Sequence, residues 1–193
     1  MNISRSDAAQ ALASVETADH RMGTLRRYSE VSPFLLLWGG VWVVANAASD
    51  VWPQASSLIW LWSTAVGTLA TAALVIQQVL RHKRLGVYTR EEGRRIGRGF
   101  ALMAITIPAY FTAMALVVGP LDGRQSNVFI SLFWAFAYMA AGAWVGIRLF
   151  VTGAVAVVAI VAGYLYIHAH FGLWMAVFAG GTLMLAGFWL RRP

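Results

Sequence analysis

The chain contains six long apolar stretches, and no Asp, Glu, Lys or Arg lies deep inside any of them. A helix of about 20 apolar residues crosses the roughly 30 Å hydrocarbon core of a bilayer. Because that core offers no water to the backbone, a single spanning segment must be helical. The chain is 59% hydrophobic and 12% charged, and soluble domains carry about twice that charged fraction. We therefore predict an all-α integral membrane bundle of six transmembrane helices, preceded by an N-terminal cytoplasmic helix.

The basic residues orient this bundle. Of the 15 Lys and Arg residues, four precede the first stretch, seven lie in the 81–99 loop, two follow the last stretch and one is Arg148; Arg124 alone falls on the other side. Cytoplasmic loops collect Lys and Arg, so we predict a multi-pass protein of the bacterial cytoplasmic (inner) membrane with both termini in the cytoplasm. This topology also explains the net charge of +7, and we expect no nucleic-acid partner.

Hydropathy divides the chain into an N-terminal segment, residues 1–31, and a transmembrane domain, residues 32–193. The run 127–167 contains no charged residue except Arg148, and as one helix it would be about 60 Å long, twice the hydrocarbon thickness. A tight turn is therefore expected between Gly146 and Gly153, with Arg148 at the cytoplasmic interface. The predicted spans are approximately 33–49, 57–80, 100–119, 127–146, 152–167 and 173–190.

The N-terminal segment has one thin apolar stripe at helical spacing. The stripe consists mostly of alanine, which makes it too weak for independent stability or firm membrane insertion. We interpret it as an amphipathic helix that rests on the protein or on headgroups; the alternative is docking to a soluble partner or a second copy. Ser32-Pro33 fits an N-cap followed by proline at the first helical position, which predicts a new helix there. The stripe residues are Ala8, Ala11, Val15, Ala18, Met22 and Leu25.

The segment SPFLLLWGGVW, residues 32–42, follows this polar helix. The arrangement resembles the start of small, uncharacterised bacterial multi-pass inner-membrane proteins, over about residues 5–50. The resemblance implies a location and no activity.

The 81–99 loop is strongly basic. Arg94, Arg95 and Arg98 share a helical face, and each base near a membrane surface contributes about 1 kcal/mol of attraction to anionic lipids. We predict that the loop contacts lipid headgroups or a protein partner. The remaining predicted contact residues are Arg81, Lys83 and Arg84.

Small residues recur at helical spacing in the second half of the chain, and they let helix backbones approach closely. We predict packing faces inside the bundle, with a homodimer contact as the alternative. Pro108 lies near the middle of the third span, where proline removes a backbone hydrogen bond and kinks the helix; we predict a hinge. The predicted packing residues are Gly142, Gly146, Ala159, Gly163, Gly172, Ala176 and Gly180.

Candidate catalytic and metal-binding groups are few. The chain has no cysteine, which excludes disulfides and thiolate chemistry. His168 and His170 share one short turn without a Cys or Glu beside them, so an interfacial turn is favoured over a metal or haem site. Charged groups inside a membrane mark proton relays and ion paths, and the predicted spans contain no Asp, Glu, Lys or Arg. We predict no cofactor and no enzymatic activity.

Uncharged polar residues do occur within the spans, among them Asn46, Thr64, Thr68 and Ser131. Such groups hydrogen-bond between helices, or they line a path for a neutral solute, with Pro108 as its hinge. Trp38 and Trp42, one turn apart, either pack or form an aromatic ligand platform. The favoured function is an accessory or regulatory membrane protein that contacts lipids or a partner. The alternative is a small transporter or channel for a neutral or hydrophobic solute, which requires a polar cavity near mid-membrane.

Overall fold

A computed structural model describes residues 5–84 and 90–191, and these form six helices with one short 3-10 turn, Pro53–Ala55. Five helices are long and apolar enough to cross a membrane, and the described apolar part of α3, Ile105–Val118, is shorter. The all-α class and the membrane character are confirmed. The helices are α1 Arg5–Val51, α2 Ser56–Arg84, α3 Arg90–Val118, α4 Gly123–Val145, α5 Ile147–Tyr166 and α6 Phe171–Leu190.

The first helix does not begin anew at Ser32-Pro33, as the sequence pattern predicted. Helix α1 runs without interruption through Pro33. Ser32 does not cap its own helix: its hydroxyl donates to Gly187 O at 2.7 Å and accepts from Arg191 Nε at 2.8 Å. Both partners lie at or just after the end of α6, so contact with this end occupies the Ser32 hydroxyl that would otherwise cap a new helix.

The turn after α4 is confirmed and is tighter than predicted. Gly146 alone separates α4 from α5, with φ +139° and ψ 164°. Arg148 therefore lies in the first turn of α5, and its Nη1 donates to Trp189 O at 3.2 Å. Its guanidinium also lies over the rings of Tyr28 and Trp189, at 5.5 and 5.4 Å. We call this end of the bundle, with Tyr28, Gly146, Arg148 and Arg191, the basic end.

The helix boundaries at the other end differ by a few residues from the prediction. Helix α4 begins at Gly123 because Asp122 forms a capping box with Gln125, with bonds of 2.7 and 3.2 Å. Helix α6 begins at Phe171, after a turn that contains His168 and His170. Its segment Met175–Gly180 is a π-helix, which the 3.6-residue periodicity did not indicate. We call this end the mouth end.

The core lies between α1, α4, α5 and α6. Its most buried large side chains include Leu35 on α1, Leu149 and Ile160 on α5, and Met175 and Leu183 on α6. Helices α1 and α6 approach so closely that a Cβ on Gly180 would lie 2.9 Å from Val43 N. Such contact is the usual role of small residues between membrane helices.

Helices α2 and α3 are packed less closely than the other four. Buried residues on α2 are limited to Gly67 and His82 in the described chain. Helix α3 meets α4 through ring contacts of Tyr110 and Phe111 with Phe133, at 5.0 and 5.2 Å between centroids. The looser packing leaves space between this pair of helices and the core.

Candidate functional site

A cavity of about 1030 Å³ lies between α1, α2, α3, α4 and the turn before α6. On α1 its lining extends from Asp50 to Trp38, and on α2 from Ser56 to Thr68. Twelve residues of helix correspond to about 18 Å, more than half of a roughly 30 Å hydrocarbon core. The cavity therefore reaches from the mouth end to about the middle of the bundle. We call it the vestibule.

The mouth of the vestibule is built around the turn between α5 and α6. The Asp50 carboxylate accepts from Gly172 N and pairs with His170 Nδ1, both at 3.0 Å. His170 itself adopts a left-handed backbone conformation with φ 54°. Asp50 thus places a negative group at the start of α6, where unpaired N–H groups favour it.

Arg124 holds the other side of the same turn. Its Nη2 donates to Tyr164 O and Ile167 O, both at 2.7 Å, and so satisfies carbonyls at the end of α5. Its guanidinium lies 4.7 Å from the centre of the Phe171 ring. A cation at a helix C-terminus is electrostatically favourable. Arg124 is the single base that the sequence assigns to this side of the membrane. Its hydrogen bonds therefore stabilise the turn between α5 and α6 at the vestibule mouth.

One turn deeper, the vestibule wall carries a chain of uncharged polar groups. Asn127 Nδ2 donates to Asn46 Oδ1 at 2.7 Å, and Ser131 Oγ donates to Asn127 Oδ1 at 3.2 Å. Asn46 also donates to Trp42 O at 2.9 Å. Across the space, Thr64 and Thr68 line the wall from α2. These amides and hydroxyls can bind a solute through hydrogen bonds without changing charge.

The remaining wall is aromatic. Trp38, Trp42, Trp60 and Trp134 line the vestibule from three different helices. Trp38 is held in place by a hydrogen bond from its Nε1 to Thr71 Oγ1, 3.0 Å long. Tryptophan faces provide large, rigid apolar surface. The vestibule therefore combines one polar wall with broad aromatic surfaces.

The vestibule is closed toward the basic end by contact between α1 and α2. A Cβ on Gly67 would lie 3.2 Å from the Trp38 ring. Farther along, Gln78 Nε2 donates to Glu30 O at 3.0 Å, and His82 Nε2 lies 3.2 Å from the Glu30 carboxylate. The vestibule is therefore closed between these two helices.

Two polar atoms beside the mouth have no hydrogen-bond partner within the described part of the chain: Ser49 Oγ and Arg124 Nε. Both residues line the vestibule. Buried polar groups are almost always paired, because each unpaired one costs about 1–3 kcal/mol. Both atoms are themselves buried, so they do not face the open space of the vestibule.

The residues predicted from the sequence are distributed over several parts of the molecule. Pro108 lines the vestibule from α3. His168 and His170 lie at its mouth, and the described residues contain no group of three or more potential metal ligands. Five of the predicted packing residues lie at close contacts or in the core: Gly142, Gly163, Gly172, Ala176 and Gly180. Gly146 lies in the turn between α4 and α5. The backbone oxygen of Ala159 accepts a hydrogen bond from Trp174 Nε1.

The predicted lipid-contacting bases lie away from the vestibule, at the basic end of α2 and the start of α3. Arg81, Lys83, Arg84, Arg94 and Arg98 are exposed, and the side chain of Arg95 lies outside the described residues. Sequence reasoning missed Ser49 and Asn127 as site residues. Their only sequence signal was a polar residue one turn from another polar residue, which is too common to be informative.

Comparison with known proteins identifies no relative: no protein-family model matches the chain, and no curated protein or solved structure is significantly similar to it.

Proposed function

We propose that this membrane protein is a small, non-enzymatic transporter or channel for a neutral or hydrophobic solute, with the vestibule as its entry site. The vestibule itself is the observation that carries the proposal, because it brings polar groups and aromatic surfaces together from the mouth end to about the middle of the bundle. Ligand cavities typically have volumes of about 300–1,000 Å³, and this one lies at the upper end. With the basic end in the cytoplasm, the vestibule opens to the outside.

Movement of α3 is the proposed opening step. Pro108 lies in the middle of α3 and lines the vestibule. Proline has no N–H for the carbonyl four residues earlier, so the helix is weakest there. Since α3 has few buried contacts among its described residues, a bend at Pro108 would disturb little of the core. In this mechanism the bend separates α3 from α4 and extends the vestibule toward the cytoplasm.

Cysteine accessibility tests whether the vestibule holds water and faces outward. The natural chain lacks cysteine, so a single introduced thiol gives an unambiguous signal. Thr68→Cys places it deep in the vestibule, and Leu69→Cys, at a neighbouring position that is 72% exposed on the bundle surface, is the depth-matched control. A thiol must ionise to react. A membrane-impermeant methanethiosulfonate added outside should therefore modify the first variant and leave the second unmodified.

Flux measurements complete the test. Liposomes that contain Thr68→Cys should swell faster than empty liposomes in glycerol or urea, and modification of the thiol should abolish the difference. An unreactive Thr68→Cys, or swelling equal to that of empty liposomes, would contradict the proposal.

The accessory role remains a second candidate because α1 extends beyond the bundle. Helix α1 has 47 residues, about 70 Å of helix. Val15 and Met22, on the part before the core, are 56% and 69% exposed. Together with the exposed bases of α2 and α3, this part would contact anionic headgroups or a protein partner.

Lipid dependence of stability tests the headgroup contact. Phosphatidylglycerol nanodiscs should raise Tm relative to phosphatidylcholine nanodiscs, and the triple variant Arg94→Gln, Arg95→Gln, Arg98→Gln should lose most of that increase. An equal increase in both proteins would remove the headgroup interpretation.

A further inference from the structure

We propose that Arg27, Arg148 and Arg191 at the basic end form a binding site for the headgroup of an anionic phospholipid. We call these three side chains the arginine patch. The site requires neither the vestibule nor the exposed bases of α2 and α3. Its basis is the grouping of three guanidinium groups, from α1, α5 and the end of α6, at a level that exposed tryptophans mark as the membrane interface.

Two of the three side chains are linked through one face of α1. The Arg148 guanidinium lies 5.5 Å from the centre of the Tyr28 ring, and Arg191 Nε donates to Ser32 Oγ at 2.8 Å. Tyr28 and Ser32 are four residues apart on α1, which places their side chains about 6 Å apart on one helix face. Arg148 Nη1 also donates to Trp189 O, two residues before Arg191. Arg148 and Arg191 are therefore neighbours.

Arg27 reaches the same region across the turn between α4 and α5. Its guanidinium donates to Trp144 O, two residues before Gly146, and Gly146 packs directly against Tyr28 Oη. Attraction to an anion sums over charges within about one Debye length, roughly 8 Å at physiological salt. The three charges therefore act together on one headgroup without having to contact a common atom.

The arginine patch is accessible. Arg27 and Arg191 are exposed, and Arg148 is half-buried. A guanidinium has five N–H donors, and the side-chain bonds described above use one in Arg27 and one in Arg191. Arginine binds phosphate oxygens through parallel N–H···O bonds, so the other donors of these two exposed side chains are suited to a lipid phosphate.

Exposed tryptophans place the patch at headgroup level. Trp144 and Trp189, whose backbone oxygens accept from Arg27 and Arg148, are 73% and 42% exposed. Tryptophan is enriched where the hydrocarbon core meets the headgroups. Ile147, next to Arg148, is 68% exposed and continues the apolar surface. A phospholipid whose acyl chains lie against this surface therefore has its phosphate beside the arginines.

The charge of the patch selects an anionic headgroup. Glu30, the carboxylate nearest to Arg27 along α1, lies 3.4 Å from Arg26 and 3.2 Å from His82 on α2. Its charge is thus directed to α2, whereas Arg27 contacts α4. Basic pockets between membrane helices bind anionic headgroups, while the phosphate of a phosphatidylcholine is neutralised by its own ammonium group. Phosphatidylglycerol should therefore be preferred over phosphatidylcholine.

A fluorescent label beside the patch measures which lipid lies there. The natural chain lacks cysteine, so Ile147→Cys provides one site for a nitrobenzoxadiazole label. Leu58→Cys, 60% exposed at the mouth end of α2, provides the control site. The labelled full-length protein is placed in liposomes, where phosphatidylglycerol or phosphatidylcholine carrying the same nitroxide quenches a label that it adjoins.

The measured quantity is the association constant of phosphatidylglycerol relative to phosphatidylcholine at each label. Each base near the surface raises the affinity for an anionic lipid about fivefold. The ratio should therefore be at least about tenfold at Ile147→Cys and below about threefold at Leu58→Cys. Raising the salt from about 0.1 M to 1 M shortens the Debye length from about 10 to 3 Å, so it should remove most of the preference without any change to the patch.

Charge-removing variants test the patch itself. Arg27→Gln with Arg191→Gln should lower the ratio at Ile147→Cys by at least about fivefold. Arg27→Lys with Arg191→Lys keeps both charges and should retain most of the preference. The matched control is Arg94→Gln with Arg98→Gln, which removes the same charge from exposed residues of α3 and should leave the ratio unchanged.

Several results would overturn this site. Equal ratios at the two labels, a preference that persists in 1 M salt, or one that survives Arg27→Gln with Arg191→Gln would remove it. An equal loss in the Arg94→Gln, Arg98→Gln protein would assign the preference to the whole basic end. If excess inorganic phosphate at constant ionic strength abolished the preference, the site would bind a free anion and not a lipid. The vestibule is tested separately by Thr68→Cys.

Discussion

Replacement of Gly146 by alanine should destabilise the bundle by about 2–6 kcal/mol. The residue has φ +139° and ψ 164°, a region that is almost restricted to glycine and costs other residues about 1–3 kcal/mol. An added Cβ would lie 2.2 Å from Tyr28 Oη and 2.7 Å from its Cζ. Forcing an atom into such a site typically costs a further 1–3 kcal/mol or so. The backbone strain and the steric overlap together amount to a large part of the roughly 5–15 kcal/mol by which a typical protein is stable.

A double-mutant cycle with Tyr28→Ala separates the two causes. Without the Tyr28 ring the steric term disappears and the backbone term remains, so Gly146→Ala should then cost only about 1–3 kcal/mol. Unfolding in mixed micelles with increasing dodecyl sulfate measures each free energy. The control is Gly40→Ala, with nothing within 4 Å of the added Cβ inside helix α1, which should be neutral or stabilise by up to about 1 kcal/mol. A Gly146→Ala protein as stable as wild type would refute the turn geometry.

Three further variants test the vestibule wall by the same unfolding assay. Asn46→Ala should lower stability by about 1 kcal/mol, because it removes the acceptor of Asn127 Nδ2 in a membrane interior; an unchanged free energy would argue against that bond. Arg124→Gln should cost about 1.5–3 kcal/mol through loss of two charge-assisted bonds to the end of α5, and Arg124→Lys should recover part of it. Asp50→Asn should lower the free energy of unfolding by less than about 1 kcal/mol, since the ion-pair partner His170 is 77% exposed. Asp50→Ala should lower it further, because it also removes the acceptor of the Gly172 N–H. Equal losses in the two variants would show that the bond from Gly172 N contributes nothing to stability.

The turn between α4 and α5 was predictable because it follows from a length limit. The 41 residues from 127 to 167, uncharged except for Arg148, are too long for one helix in a bilayer, and only a break near Gly146 and Arg148 divides them into two usable spans. The continuity of α1 through Pro33 was not predictable, because Ser32-Pro33 is locally a good helix start. It is decided by Gly187 O and Arg191, which bind the Ser32 hydroxyl from more than 150 residues away in the chain.

By itself, the sequence determined the all-helical class and the membrane character. These are local properties, since each depends on the apolar length of one segment and on the residues at its termini. Tertiary structure decided whether the uncharged polar residues bind each other or line a space. Asn46 and Asn127 are 81 residues apart in the chain, and hydropathy is the same whether a threonine faces a packed neighbour or a cavity. The vestibule exists because α2 and α3 pack less closely than the other four helices, and the separation of helices is a property of pairs that no single segment encodes.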